Sequence, residues 1–390
     1  MAPVAAHQLT QRANGVDRVY LSDKELIANE EMKKLQTEVD ANANAVVNEV
    51  THTFAWNEVI WSNVFIIGGL HVAALYSMYL FAIGEIKWQN IFVSSLFGFF
   101  SAIGVTIGAH RLWAHRAFKA KWPLRLILAF CNTCALETDI YDWCRDHRVH
   151  HKFSETNADP HNANRGFFFA HCGWLMVKKH PAVTEKGSKI DLSDVLNDPI
   201  VAFQRRYYLV LGLICWGLIP TYLGVYLFNE RPLNSFLFNV IFRYVFVLNG
   251  TWNVNSAAHI FGNRPYNVKI NPRENKAVTY LSFGEGYHNY HHAFPYDYSA
   301  SEFGFENNFN MSTAIIDFFA KIGQAYDLKK PSYETVRAKI EKDGDHTFGG
   351  NTTFLNTLID WAFGICVAFS SMLSVLVLRF IFTGSFANKV

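Results

Sequence analysis

Long apolar runs without a charged residue alternate with polar stretches along this chain. Three of them, at about 64–83, 91–109 and 207–228, reach the length of roughly 20 residues that an α-helix needs to cross a bilayer. A fourth run, at about 233–258, contains Arg243 and is long enough only if its helix continues to the end of that range. A buried core helix is the alternative for this run. The pattern predicts an all-α integral membrane protein with four transmembrane helices.

Charged residues divide the remaining chain into two long basic segments and two short connections. Residues 110–206 contain 15 Lys and Arg and residues 259–357 contain 10, whereas the connections 84–90 and 229–232 contain one each. Because basic residues concentrate on the cytosolic side of membranes, both long segments are predicted to form a cytosolic cap. The formal net charge of +2 favours neither nucleic acid nor an acidic partner.

The sequence thus falls into three parts. Residues 1–58 are polar and are predicted to be a cytosolic N-terminal arm that is poorly ordered or forms a surface helix. Residues 59–346 contain the four spans and the cap. Residues 347–390 form a tail with a further apolar run at 361–378.

Histidines provide the candidate chemistry. Nine of the 16 histidines occur in four places: His110 and His115; His147, His150 and His151; His259; and His288, His291 and His292. Two of these places read HxxHH, and positions i, i+3 and i+4 share one face of a helix. Neutral imidazole is a common ligand of iron, copper, nickel and zinc, and one tetrahedral zinc needs only four ligands. The spacing therefore predicts a histidine-rich site with two metal ions.

Other positions give weaker signals. His110 and His115 are five residues apart, which is about 140° on a regular helix, so this pair is expected at a helix end. Asn255 and His259 are four residues apart and are expected on one face. The remaining seven histidines are expected to be surface or ordinary core residues: His7, His52, His71, His161, His171, His180 and His346. The six cysteines lie in apolar or cytosolic contexts, where disulfides are not expected.

Four longer motifs extend the histidine pattern: HRLWAH from 110, DWCRDHRVHHK from 142, NSAAH from 255 and GEGYHNYHHAFPYDYSASE from 284. With these, the chain resembles the membrane acyl-CoA desaturases of the stearoyl-CoA Δ9-desaturase family, from about Asn63 to His346, and particularly the insect branch. The resemblance implies a mushroom-shaped helical fold with four spans and a cytosolic cap. It also implies a non-haem centre of two iron ions and a kinked tunnel for the acyl chain.

The resemblance implies roles for individual residues. All nine clustered histidines match the iron ligands of the family, and Asn255 matches a residue that holds a metal through water. Residues matching the family's contacts to the CoA head group are Asn63, Arg145, Asp146, Lys178 and Lys179. Ser62 stands where the family usually has arginine, and the apolar tail is not usual in the family.

The function expected from the resemblance is insertion of a cis double bond, at Δ9, into a saturated fatty acyl-CoA. It consumes O₂ and two electrons from cytochrome b5 and its NADH-dependent reductase, in the endoplasmic reticulum membrane, with the N-terminus and the histidines in the cytosol. Membrane lipid is an expected partner and nucleic acid is not. Three alternatives stay open: a desaturase of Δ11 or other pheromone-type regiospecificity, a membrane di-iron hydroxylase, and a histidine-rich metal transporter or sensor.

The tail run at 361–378 has 18 uncharged residues, which could just cross a bilayer. Ser370, Ser371 and Ser374 dilute its apolarity. We therefore expect one helix that contacts the membrane without spanning it and that contributes nothing to the metal site.

Overall fold

The computed structural model describes residues 9–13, 16–21, 56–347 and 353–388. Four helices in these parts are long and apolar enough to cross a membrane, as the hydropathy pattern predicts: Trp61–Ala82 (span 1), Asn90–Ala114 (span 2), Tyr208–Phe228 (span 3) and Pro232–Ile260 (span 4). The protein is a multi-pass membrane protein. Span boundaries differ from the predicted ones by a few residues, chiefly because span 2 continues as a π-helix from Gly104 to Ala114.

Span 4 tolerates a charged residue because its guanidinium group is enclosed by acceptors. Arg243 is 1% exposed and donates to the Ser101 hydroxyl at 2.8 Å and to the carbonyls of Cys134 at 3.0 Å and Trp216 at 3.2 Å. A buried charge is tolerable when its donors are paired. Arg243, which interrupts the fourth apolar run of the sequence, thus connects span 4 to other helices.

The cap consists of short helices that follow spans 2 and 4. They are Trp122–Ala135, Ile140–Phe153, Phe167–His171, Pro181–Gly187, Ser193–Leu196, Pro199–Arg206, Lys276–Leu281, His288–Ala293, Gly304–Asn307, Met311–Lys321 and Tyr333–Asp343. The largest hydrophobic core joins the end of span 2 to this cap, through residues such as Ile107, Leu128, Ile140 and Ile316. All six cysteines are free, and Cys131 and Cys134 are buried, as expected. The cap is therefore packed rigidly against the end of span 2.

Five short strands lie at the cap. β1 (Leu9–Ala13) pairs with β2 (Val16–Leu21) in antiparallel fashion. β3 (Lys119–Ala120) pairs antiparallel with β4 (Ala325–Tyr326), and β2 runs parallel to β5 (Leu328–Pro331). The expectation of a poorly ordered or helical N-terminal arm is therefore wrong for residues 9–13 and 16–21. The rest of the arm up to residue 55, with His7 and His52, lies outside the described residues.

The tail is two helices rather than one. Phe354–Ala368 and Ser370–Thr383 meet at Phe369 with a bend of 64°. The prediction of a single apolar helix at 361–378 is wrong, because the chain leaves helical geometry at Phe369, immediately before the Ser370–Ser371 pair. Paired small polar residues are a recognised cause of sharp helix kinks.

Candidate metal centre

The π-helix at the end of span 2 brings together His110 and His115, which would lie on different faces of a regular α-helix. Its backbone bonds run from residue i to i+5, and the last of them joins the His115 amide to the His110 carbonyl at 3.0 Å. Residues five apart therefore become neighbours, and the rings of His110 and His115 are 4.8 Å apart between centroids. The π-helical backbone, and not the spacing on a regular α-helix, directs this pair to one side.

The second cluster lies on the helix Ile140–Phe153, whose first turn is capped by the Asp139 carboxylate, which accepts from the Asp142 amide at 3.0 Å. On this helix His147 and His151 are four residues apart and point together, whereas His150 points elsewhere. The prediction that this HxxHH cluster directs all three imidazoles to one point is therefore wrong for His150.

The third cluster needs two glycines before it. A Cβ on Gly284, whose φ is +115°, would lie 2.4 Å from Asn310 Oδ1, and one on Gly286 would lie 2.2 Å from the Thr279 amide nitrogen. No side chain fits at either place, so the backbone turns tightly into the short helix His288–Ala293.

The clusters assemble into two groups of imidazoles. The first, called here the five-histidine group, contains His110, His115, His147, His151 and His291. Its Nε2 atoms lie 3.0 Å apart between His110 and His291, 2.8 Å between His115 and His147, and 3.1 Å between His151 and His291.

The second, the four-histidine group, contains His150, His259, His288 and His292. Here the Nε2 atoms of His259 and His288 are 2.9 Å apart, and those of His288 and His292 are 3.2 Å apart. Asn255 ends the longest helix of span 4, and His259 follows after a break at Ser256. Asn255 and His288 line the same cavity.

These spacings fit metal ions as well as hydrogen bonds. Two imidazole nitrogens bound at about 2.1 Å and at a right angle around one ion lie about 3.0 Å apart. Burial lowers the pKa of His150 to about 3, and burial lowers the pKa of His147 and of His288 well below the usual value. Burial thus keeps these rings in the neutral form that binds metal.

Three carboxylates orient the rings by contacting their Nδ1 atoms, on the side away from the two groups. The Nδ1 atoms of His110, His150 and His259 lie 3.0, 2.9 and 2.6 Å from oxygens of Glu285, Asp159 and Glu155. A neutral ring that donates its Nδ1 proton to such a carboxylate has a bare Nε2 facing the group, which is the usual arrangement behind metal-bound histidine. Sequence reasoning missed all three acids, although Glu285 lies inside the GEGYH motif. Their nearness to the histidine motifs was the available signal.

His161 was also missed, since it was expected to be an ordinary core or surface residue. Its ring lies 4.3 Å from that of His150, and its Nδ1 is 3.6 Å from Asp159 Oδ1. Asp159 already contacts His150, so His161 belongs to the surroundings of the four-histidine group. The DPH sequence that carries it is a turn directly behind that group.

An apolar cavity of about 1040 Å³, measured to its open mouth, ends at the histidines. His110, His147, His150 and His288 line one end of it, and Ser94 lines it 16 residues earlier in span 2, so the cavity follows roughly 20 Å of helix. Trp143, Phe99, Phe246 and Phe283 line it together with aliphatic residues, and most of the lining surface is apolar. Such a space suits a long apolar ligand.

The tail also lines this cavity, through Ala368, Phe369, Ser371 and Met372. The expectation about the tail concerned the metal site alone, and among the described residues neither histidine group includes a tail residue. The contact with the cavity is a further role, which the sequence analysis did not predict. The sequence could not reveal this, because the contact joins segments more than 70 residues apart.

The five residues implied for the CoA head group are only partly brought together. Arg145 bonds to Asp142 at 2.6 Å and to Asp146 at 2.9 Å, and Asp146 also contacts the ammonium of Lys179. Lys178 and Lys179 line a second, smaller cavity of about 300 Å³. Asn63 is at the start of span 1 and donates to the Leu175 carbonyl at 2.7 Å instead.

Comparison with known proteins now adds to this geometry. The family model described as fatty acid desaturase matches residues 86–300, which include both histidine groups. The chain is 54% identical over 288 residues to an acyl-CoA Δ9 desaturase of Acheta domesticus, covering 74% of this chain and 80% of that protein. It is 51% identical over 291 residues to the stearoyl-CoA desaturase of Homo sapiens, covering 75% of this chain and 80% of the human protein.

The chain belongs to the fatty acid desaturase family. As a desaturase it is an oxidoreductase, and the two histidine groups are where a desaturase could bind metal. The family match ends at residue 300, so the tail of this desaturase lies outside it.

Proposed function

We propose that this desaturase inserts a cis double bond into a saturated fatty acyl-CoA, at Δ9. The observation that carries the proposal is that histidines of both groups line one end of a long apolar cavity. The Δ9 position is supported by relatives that are named Δ9 or stearoyl-CoA desaturases at about half identity.

The five-histidine group and the four-histidine group would each hold one iron ion, with Asn255 reaching the second ion through water. When bound, two iron ions supply the O₂-derived oxidant that a side chain cannot provide for an unactivated methylene. The protein positions and shields the reaction: Glu155, Asp159 and Glu285 fix the ring orientations, and the buried cavity wall excludes water from the reacting carbons.

The head group would remain at the cap while the chain enters the cavity. Lys178, Lys179 and Arg145 provide cationic groups for the phosphates of CoA, with Asp146 holding two of them in place. Asn63 would contribute from the start of span 1. With the thioester anchored in this way, the distance from the anchor to the histidine groups would determine which carbons react.

Two electrons per turnover must come from outside, because reducing O₂ to two water molecules takes four electrons and removing two hydrogens from the acyl chain supplies only two. We propose cytochrome b5 and its NADH-dependent reductase as donors, at the cytosolic face of the endoplasmic reticulum. The 15 basic residues of 110–206 support this orientation, since basic segments are favoured on the cytosolic side of a membrane.

The rival functions differ in testable ways. A hydroxylase would use the same histidine groups but leave a hydroxyl on the chain. A metal transporter would need histidines along a path through the bilayer, whereas both groups lie at one end of the spans. A Δ11 enzyme would place the same double bond two carbons further from the thioester.

The test is expression of the full chain in yeast that lacks its own desaturase, followed by mass spectrometry of total fatty acids. We expect Δ9 monoenes in the wild type and none in His150→Ala or His291→Ala, one variant for each group. His346→Ala, which changes an exposed histidine outside both groups, is the matched control and should retain activity. Hydroxy acids, Δ11 products or activity in both cluster variants would each contradict the proposal.

A further inference from the structure

The tail is held at the cap by its first helix. The Asp360 carboxylate accepts from the Lys276 ammonium at 2.9 Å, the Tyr280 hydroxyl at 2.6 Å and the Phe309 amide at 2.7 Å. Trp361 adds a bond from its indole nitrogen to the Phe305 carbonyl at 3.0 Å. The helix Phe354–Ala368 therefore starts beside the histidine-bearing end of the spans.

The second tail helix ends at the opposite side. Arg379 is fully buried and donates to the Ile86 carbonyl at 2.6 Å and to the Ala387 carbonyl at 2.8 Å. The Asn388 side chain accepts from the Trp88 amide at 3.2 Å. Ile86 and Trp88 belong to the connection between spans 1 and 2, which is the far end of span 2 from its histidines. The tail thus follows the whole height of the spans as a fifth, broken span.

The break in this span lies against the apolar cavity. Phe369, where the two helices meet, faces Phe283 with ring centroids 6.5 Å apart. Met372 packs with Phe238 and Phe242 of span 4, further from the cap. Ser371 also lines the cavity. The bend at Phe369 is therefore where the tail borders the cavity.

We propose that this broken span is a wall of the acyl site and that Phe369, Ser371 and Met372 determine which acyl chain lengths the enzyme accepts. The inference rests on the proposed function, because it takes the cavity to hold the acyl chain. Its physical reason is that a hydrophobic pocket distinguishes ligands differing by one methylene by roughly 10-fold or more. Side chains that limit the cavity therefore set chain-length preference.

The experiment uses the full-length enzyme in yeast microsomes with an equimolar mixture of C14, C16, C18 and C20 acyl-CoA. Phe369→Ala and Met372→Ala enlarge the cavity and should raise the ratio of long to short products by roughly 10-fold. Ser371→Leu narrows it and should shift the ratio in the opposite direction. Leu373→Ala and Phe382→Ala, which change exposed apolar residues of the same helix, are the matched controls and should leave the ratio unchanged.

Unchanged ratios in all three cavity variants, with turnover intact, would overturn the inference while leaving the proposed function standing. Protein level and monodispersity in detergent identify variants that fail to fold. If one of them does, the direction of the shift in the other two decides the result.

A second measurement does not depend on turnover. A stearoyl-CoA analogue with a diazirine on the distal half of its chain should, on illumination of the purified wild type, label the peptide that contains Phe369 and Met372. Labelling without activity would overturn the proposed function but support the inference. Labelling confined to spans 2 and 4 would overturn the inference.

A third experiment tests whether the tail crosses the membrane. In sealed microsomes a C-terminal tag should resist protease and become accessible only after the membrane is opened, because Arg379 and Asn388 contact the connection opposite the cap. Cleavage of the tag in sealed microsomes, together with protection of the connection 84–90, would refute the fifth span.

Discussion

Removing the carboxylate that contacts His259 Nδ1 should weaken the binding of one metal ion and leave the binding of the other unchanged. Glu155 Oε1 is 2.6 Å from His259 Nδ1, although 104 residues separate the two in sequence. The His259 side chain is 1% exposed, so its Nδ1–H depends on an acceptor supplied by the protein. In Glu155→Ala the Nδ1–H is left without a partner, and the ring is free to turn or to change tautomer.

The magnitude follows from two independent considerations. Leaving a buried donor unpaired costs about 1–3 kcal/mol. Loss of a hydrogen-bonding partner behind a metal-bound histidine typically lowers metal affinity about 10- to 100-fold, which is about 1.4–2.7 kcal/mol. We therefore expect the ion of the four-histidine group to be bound roughly 10- to 100-fold more weakly. Glu155→Gln keeps an oxygen acceptor without the charge and should lose less.

The assay is iron content of purified full-length protein, measured across a series of chelator concentrations. Wild type should retain two ions per chain, and Glu155→Ala should release one of them at a roughly 10- to 100-fold lower chelator concentration. Glu341→Ala, an exposed glutamate on the helix Tyr333–Asp343, is the matched control. Release at the wild-type concentration, or equal loss of both ions, would refute the assignment of Glu155 and His259 to one ion.

Two further predictions concern backbone packing and topology. Gly286→Ala should destabilise the protein by about 1–3 kcal/mol or more, since its Cβ would meet backbone atoms of Thr279 and Asn275 at 2.2 and 2.3 Å. Gly69→Ala is the control and should not destabilise the protein, because Gly69 has open space around it. Equal melting temperatures of the two variants in detergent would contradict this prediction. The glycosylation sequon at Asn310 should stay unmodified, because the Asn310 side chain is buried and donates to the Ser299 carbonyl at 2.9 Å. A glycosidase-sensitive gel shift that is seen in the wild type and absent in Asn310→Gln would disprove both the burial and the cytosolic cap.

The two other sequons add less to that test. Asn249 lies within span 4 and donates to the Val245 carbonyl at 2.8 Å, so its amide is engaged in the helix. Asn351 lies outside the described residues, and the prediction that it remains unmodified rests on the charge pattern alone.

The sequence by itself determined the features that depend on neighbours along the chain. Four spans follow from apolar runs of bilayer length, and only Arg243 obscured one of them, because its acceptors are on other segments. The HxxHH spacing likewise predicted convergent imidazoles, since i, i+3 and i+4 are close on any helix. Motif content was enough to indicate the desaturase family, which the comparisons then showed.

Tertiary structure alone decided how those imidazoles are shared. His147 and His151 join the five-histidine group, because the fold brings His110, His115 and His291 beside them. His150 joins the four-histidine group, because the fold brings His259, His288 and His292 beside it. The supporting acids Glu155 and Glu285 could not be found by periodicity, since each contacts a histidine that the fold brings to it. The same holds for the tail: its hydropathy gave length and apolarity, whereas its bend at Phe369 and its place against the cavity depend on packing between distant segments.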